Sequence, residues 1–130
     1  MKYEALINEA RVAQKSSYAP YSSFNVGAAV LTGDGQIYKG CNIENSSYGA
    51  TICAERVAIG NAICDGKREL LAIAIVGGEG FSSDKMAIPC GSCLQVMSEL
   101  CDDNFEIVLC EGEKIKTFKL SELLPHRFKL

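Results

Sequence analysis

The strongest constraint on how this chain folds is Leu70-Leu71-Ala72-Ile73-Ala74-Ile75-Val76, an unbroken apolar run that ends in Gly77-Gly78. A run this short, closed by glycines, reads as a strand buried on both faces in the middle of a sheet. The segments around it supply the rest of a layered fold. Tyr3, Leu6, Ile7, Ala10 and Ala13 recur at helical spacing, predicting a helix from residue 2 to about 17, before Pro20. Phe24, Val26, Ala28 and Val30 alternate along a strand, Gly33-Asp34-Gly35 turns it, and Gln36 to Ile43 returns as a hairpin. Residues 44–50 read as a loop and Cys53 to Ile63 as a second helix closed by Asp65-Gly66. Beyond the apolar run, residues 78–88 read as a loop and Cys90 or Gly91 to Leu100 as a helix. Phe105–Leu109 and Ile115–Phe118 read as paired strands, and Ser121 as the cap of a short last helix. The order αββαβαββα predicts a single α/β domain over residues 1–130: a three-layer αβα sandwich with a mixed sheet of about five strands.

Composition narrows the class of partner. The 130 residues are 48% hydrophobic and 22% charged, ordinary for a globular protein, with a formal charge of −3 and scattered Lys and Arg. A polynucleotide binder needs a basic stripe that displaces counterions from phosphates, and none is visible, so a small-molecule partner is expected and no nucleic acid. No stretch approaches the roughly 20 apolar residues that cross a bilayer, and Met1-Lys2-Tyr3-Glu4-Ala5 does not open a signal peptide. The cysteines number seven, an odd set unlike a secreted disulfide scaffold, so a reducing cytoplasm is the expected location.

Two of those cysteines open a helix. Cys90-Gly91-Ser92-Cys93 follows Pro89, and residues three apart share a helical face, so both sulfurs can point at one ion. Backbone N–H groups at a helix start also favour thiolates. By itself the pattern suits a dithiol redox pair equally well. Cys53-Ala54-Glu55-Arg56, at the start of another helix, breaks the tie. Three ligands from two helix N-termini leave a tetrahedral Zn²⁺ one open position for water, whose pKa the metal lowers towards neutrality. Glu55, two residues from Cys53, projects about 200° away from it on a regular helix. It therefore need not compete for the metal and is placed to shuttle protons.

Cys53-Ala54-Glu55 followed by Pro89-Cys90-x-x-Cys93 resembles the zinc-deaminase signature in a three-cysteine form. Tyr18-Ala19-Pro20-Tyr21-Ser22, Phe24, Val26-Gly27-Ala28-Ala29, Gly40-Cys41-Asn42-Ile43-Glu44-Asn45, Tyr48, and Leu123-Leu124-Pro125 with Phe128 extend the likeness to the small cytidine deaminases over nearly the whole chain. The resemblance implies zinc-dependent hydrolysis of free cytidine and deoxycytidine to uridine and deoxyuridine, with ammonia released and one Zn²⁺ per subunit. It implies that Glu55 is the proton shuttle, that Asn42 and Glu44 bind the ribose hydroxyls, and that Phe24 packs on the pyrimidine. Backbone groups near Ala54 and Cys90 would read the edge of the base. Ser46, Tyr48 and Phe128 would complete sites in neighbouring subunits of a homotetramer. Arg56 would drain charge from the sulfurs, since three thiolates on Zn²⁺ leave a net −1.

Each assignment has a plainer counterpart. Arg56 would otherwise be a surface pair, Phe24 an ordinary core residue, and Asn42 and Glu44 servants of their own loop. Ser46 stands where the family often has alanine, and Leu94 where it often has arginine, which loads more of the charge compensation onto Arg56. His126, the sole histidine, reads as a surface residue, and Cys41, Cys64, Cys101 and Cys110 as packing residues. The competing functions are a deaminase of another small substrate such as an aminocytosine nucleoside antibiotic, a nucleic-acid-editing deaminase, a structural zinc module and a dithiol oxidoreductase.

Overall fold

Strand β1 (Phe24–Thr32) pairs on both edges. In the computed structural model, which describes residues 2–130, it lies antiparallel to β2 (Ile37–Cys41) on one side and to β3 (Leu70–Glu79) on the other. The sheet continues with β4 (Glu106–Glu111), parallel to β3, and β5 (Lys114–Lys119), antiparallel to β4, giving the order β2-β1-β3-β4-β5. The expected mixed five-stranded sheet is what forms. The run that opened the sequence argument is its central strand, with Ala72 to Val76 fully buried.

Two cores, one per face, make the three layers. Helix α1 (Glu4–Gln14) places Leu6, Ile7 and Ala10 against Ala29, Ala72, Ala74, Val76 and Val108. The opposite face takes α2 (Ala54–Cys64) and α3 (Gly91–Leu100), where Ala58, Ile59, Ala62 and Met97 meet Val30, Ile73, Ile75, Ile107 and Leu109. The alternation along β3, Ile73 and Ile75 to one side and Ala72, Ala74 and Val76 to the other, is the two-residue period of a pleated strand. Small residues let the helices approach closely. A Cβ on Gly27 would lie 2.0 Å from the Ala10 carbonyl oxygen, and one on Gly40 2.3 Å from the Ala58 nitrogen.

Four sequence expectations need adjusting. Helix α1 is shorter than residues 2–17, closing with Lys15 after Gln14. Strand β3 does not stop at Gly77-Gly78 but runs to Glu79, because those glycines pair with Val26 and Asn25. They are glycines because the chain folds back onto them: a Cβ on Gly78 would meet the Ser82 hydroxyl at 2.3 Å. Strand β2 ends at Cys41, and Ile43 instead makes isolated bridges to Tyr18 and Ile52. The last helix, α4 (Leu120–Leu123), is capped from Lys119, whose N–H donates to the Glu122 carboxylate at 2.9 Å; Ser121 lies inside it. None of the described helices is long and apolar enough to cross a membrane.

Candidate active site

The site forms where α2 and α3 begin. Cys53 and Cys90 are the capping residues of these two helices, both in extended backbone, and Cys93 follows on the first turn of α3, fully buried. Cys53 Sγ lies 3.8 Å from Cys90 Sγ, which lies 3.7 Å from Cys93 Sγ, and all three sulfurs are within 4.8 Å of one another. Zn–S bonds of about 2.3 Å in a tetrahedron place sulfurs roughly 3.8 Å apart, so the spacing fits zinc. Among the described residues no fourth His, Cys, Asp or Glu joins the group.

The charges around the sulfurs fit as well. Hydrogen bonding with Cys93, and then with Arg56, holds Cys53 down at about 5 against the cost of burial. Cys93 is correspondingly pushed up, by that same hydrogen bond to Cys53 and then by desolvation. Zinc binds the thiolate rather than the thiol, so a sulfur already biased towards its anion suits the ion. Arg56 Nη2 donates to Cys53 Sγ at 3.6 Å, and the sulfur hydrogen bonds fix the guanidinium in its charged form. Its Nε is buried with no partner among the described residues, which leaves unused donor capacity on the side chain that already bonds Cys53.

Glu55 sits on the first turn of α2 and is 5% exposed. Burial pushes its carboxyl up to about 7, a shift that the Cys53 charge reinforces. It lines a cleft of about 340 Å³ together with Cys53, Cys90, Ala54, Phe24, Asn42 and Glu44. Two of the metal ligands, the carboxylate and four of the expected substrate residues therefore line one cleft, and Cys93 lies buried behind it. Ala54 is fully buried, and its neighbours in the cleft include Val26, Ile52, Ala87 and Ile88, which sequence reasoning did not single out.

The strip from Asn42 to Glu44 reaches the cleft through backbone pairing. Tyr18 N–H donates to Asn42 O at 3.0 Å, Glu44 N–H to Tyr18 O at 2.9 Å, and Ile43 exchanges two hydrogen bonds with Ile52. The extended strip turns Asn42 and Glu44 to one side. Asn42, 8% exposed, accepts from Val26 N–H at 3.0 Å and from the Ser17 hydroxyl, and donates to Phe24 O at 2.9 Å. It therefore braces β1 while keeping one amide hydrogen free. Glu44 accepts from the N–H groups of Tyr21 at 3.0 Å and Ser22 at 3.1 Å, and from the Ser22 hydroxyl. Burial raises its pKa, but the Ser22 hydroxyl and the two N–H groups outweigh that and hold it below the usual carboxylate value.

Ser46, Tyr48 and Phe128 do not enter this cleft. Ser46 and Tyr48 are exposed in the 44–51 loop, Tyr48 at 84%, beside a shallow pocket shared with Glu44 and Thr51. Phe128 is 65% exposed in the tail, which Arg127 fastens to the end of α3 by bonds to Ser98 Oγ at 3.1 Å and Cys101 O at 2.8 Å. His126 is exposed. Cys101 and Cys110 are buried and Cys41 half-buried, and burial pushes all three thiols up, Cys101 to about 12. Cys64, expected to pack, is instead exposed at the end of α2.

A three-sulfur zinc site with a cleft in place of a fourth protein ligand, walled by a buried carboxylate, defines a catalytic rather than a structural zinc protein. Comparison with known proteins agrees. The profile described as "Cytidine and deoxycytidylate deaminase zinc-binding region" matches residues 1–109. A cytidine deaminase from Halalkalibacterium halodurans is 45% identical over 130 residues, 98% of this chain and 95% of that one. The crystal structure of cytidine deaminase from Burkholderia pseudomallei superposes with a TM-score of 0.90 at 44% identity, over 98% of this chain and all of that one. The Mycobacterium tuberculosis structure gives 0.84 at 38%, over 100% and 99%. A blasticidin-S deaminase from Bacillus cereus is 32% identical over 108 residues, 80% of this chain and 76% of that one. The chain belongs to the cytidine and deoxycytidylate deaminase zinc-binding family, and Cys53, Cys90 and Cys93 are its zinc site.

Proposed function

We propose that this chain hydrolyses free cytidine and deoxycytidine to the uracil nucleosides, with Glu55 as its catalytic acid and base. The observation that carries the reading is the juxtaposition of a three-sulfur cluster at zinc spacing with a cleft that two of those sulfurs line together with the buried Glu55 carboxyl, an aromatic, an amide and a second carboxylate. When bound, zinc supplies the Lewis acidity that ionises water near neutral pH. Glu55 takes a proton from the attacking water and delivers it to ring N3, so that C4 accepts the hydroxyl. It then passes a proton to the amine, which leaves as ammonia; water is consumed and the C4–N bond is exchanged for C4–O. A carboxyl poised near 7 suits both directions of transfer.

Phe24 packs on the ring, backbone groups at Ala54 and Cys90 read its edge, and Asn42 and Glu44 take the sugar hydroxyls. Glu44 as an ionised carboxylate only accepts hydrogen bonds, so it selects a ligand that donates them. Arg56 offsets the charge of the sulfurs. Leu94, half-buried and packed on the core, adds no charge, which leaves that task to Arg56.

Ser46, Tyr48 and Phe128 serve a neighbour's site in a homotetramer. This is supported by their exposure outside their own cleft, and by the exposed apolar Ile52, Ile88, Tyr21 and Tyr48 around its mouth. Three reduced sulfurs at the metal suit a reducing compartment such as the cytoplasm. Loss of ultraviolet absorbance on incubation with cytidine, deoxycytidine, cytosine, blasticidin S and adenosine tests the assignment. Turnover of the first two alone is expected. Turnover of blasticidin S with neither nucleoside would replace it.

A further inference from the structure

We infer that Ser22 is a positioning residue for substrate binding, its hydroxyl joining the sugar-binding carboxylate of Glu44 to the backbone of Phe24. This rests on the assignment of Glu44 and Phe24 to the nucleoside. The Ser22 hydroxyl oxygen accepts the Phe24 N–H at 3.0 Å, so its own proton is left to point elsewhere, and it points at Glu44 Oε2. The other carboxylate oxygen, Oε1, is held by the N–H groups of Tyr21 and Ser22. Three donors from one turn therefore converge on Glu44, and the donor that is a side chain also anchors the start of β1.

The turn is built to do this. Ser23 N–H donates to Ala19 O at 3.1 Å, and Ser23 has φ of 59°, a left-handed backbone that a residue with a side chain adopts at a cost. That conformation reverses the chain between the Tyr21 and Ser22 amides and the Phe24 ring. Ser22 itself lies on the wall of the cleft and of the neighbouring pocket that Glu44 also lines. Three protein donors hold the Glu44 carboxylate in one orientation at the wall of the cleft, leaving lone-pair capacity for a ligand's hydroxyls. Orientation is settled before the nucleoside arrives, which reduces the entropy lost on binding.

The consequence is specific to the sugar. Removing one hydrogen bond to a partly solvated carboxylate should raise KM for cytidine about fivefold in Ser22→Ala, with kcat altered less than about twofold. Ser22→Thr, which keeps the hydroxyl, should restore KM. The Ki of 2′,3′-dideoxycytidine, a competitor without the 2′ and 3′ hydroxyls assigned to Glu44, should not respond to Ser22→Ala, and zinc content should stay full. Glu44→Ala is measured alongside. If Glu44→Ala raises KM and Ser22→Ala does not, the inference is overturned and the Glu44 assignment stands. An equal rise in the dideoxycytidine Ki overturns it too, since the effect would not pass through the 2′ and 3′ hydroxyls. If Glu44→Ala leaves KM unchanged, the sugar assignment fails and this inference with it.

Discussion

Burying Glu55 at the start of α2 works against folding, because its carboxyl releases its proton only near 7 in the native state and at an ordinary, lower value when the chain unfolds. The unfolded state therefore binds fewer protons between about pH 4.5 and 7, and stability falls across that window as pH rises. Glu55→Gln removes the burden. In the metal-free, reduced protein it should raise stability by roughly 3 kcal/mol at about pH 8 and leave it nearly unchanged at about pH 4.5, by urea unfolding. The same variant should keep zinc and lose about a thousandfold or more in kcat, since the acid and base are gone. Substantial residual turnover would take Glu55 out of the chemistry. Arg56→Gln should release zinc faster to a chelator and slow turnover; full retention with unchanged rate would show that its bond to Cys53 is incidental. At this scale the chemistry was legible. Cysteine spacing at two helix starts carries the metal, and the glutamate two residues on from the first of them is buried in the same cleft. Ser17, Tyr21 and Ser22 were not legible as supports of Asn42 and Glu44, because they act through a turn whose shape depends on Ser23 and on pairing with a strip more than 20 residues away.

The elements are held at distances that only glycine permits in two places, and this gives a sharp contrast. Gly27→Ala should destabilise the protein by about 2–3 kcal/mol in denaturant unfolding, because the new methyl meets the α1 backbone at Ala10 and Gln14. Gly60→Ala, in open space on the exposed side of α2, should be neutral or stabilising by up to about 1 kcal/mol. Equal effects would mean that α1 does not pack on β1 as described. The sequence pattern located the four α-helices and five strands but not the one-turn 3-10 helix at Tyr48–Ala50, in the stretch read as a loop. It missed ends where another segment decides: β3 runs through its glycines because Ser82 folds over Gly78, and α4 takes its cap from Lys119 because Glu122 reaches back to that amide.

For the whole molecule, Tyr48 and Phe128 are among the large apolar side chains that one copy of the chain leaves exposed. If sites are completed across subunits, sedimentation should give four times the 14.0 kDa of the chain. Mixing the inactive Glu55→Ala protein with a weakened Phe128→Ala protein should then form sites with both native residues and recover activity above the sum of the parts. Recovery is not expected from a protein whose sites are self-contained. Such completion was beyond sequence periodicity, since nothing in the pattern of one chain states which side chains face a second copy.

The metal's coordination shell decides more than any other observation. Zinc absorption spectroscopy on the purified protein should show one ion per chain with three sulfurs at about 2.3 Å and one lighter oxygen neighbour. Cytidine deamination should vanish with chelation and return with zinc. Four sulfurs, or full activity with no zinc bound, would contradict the account.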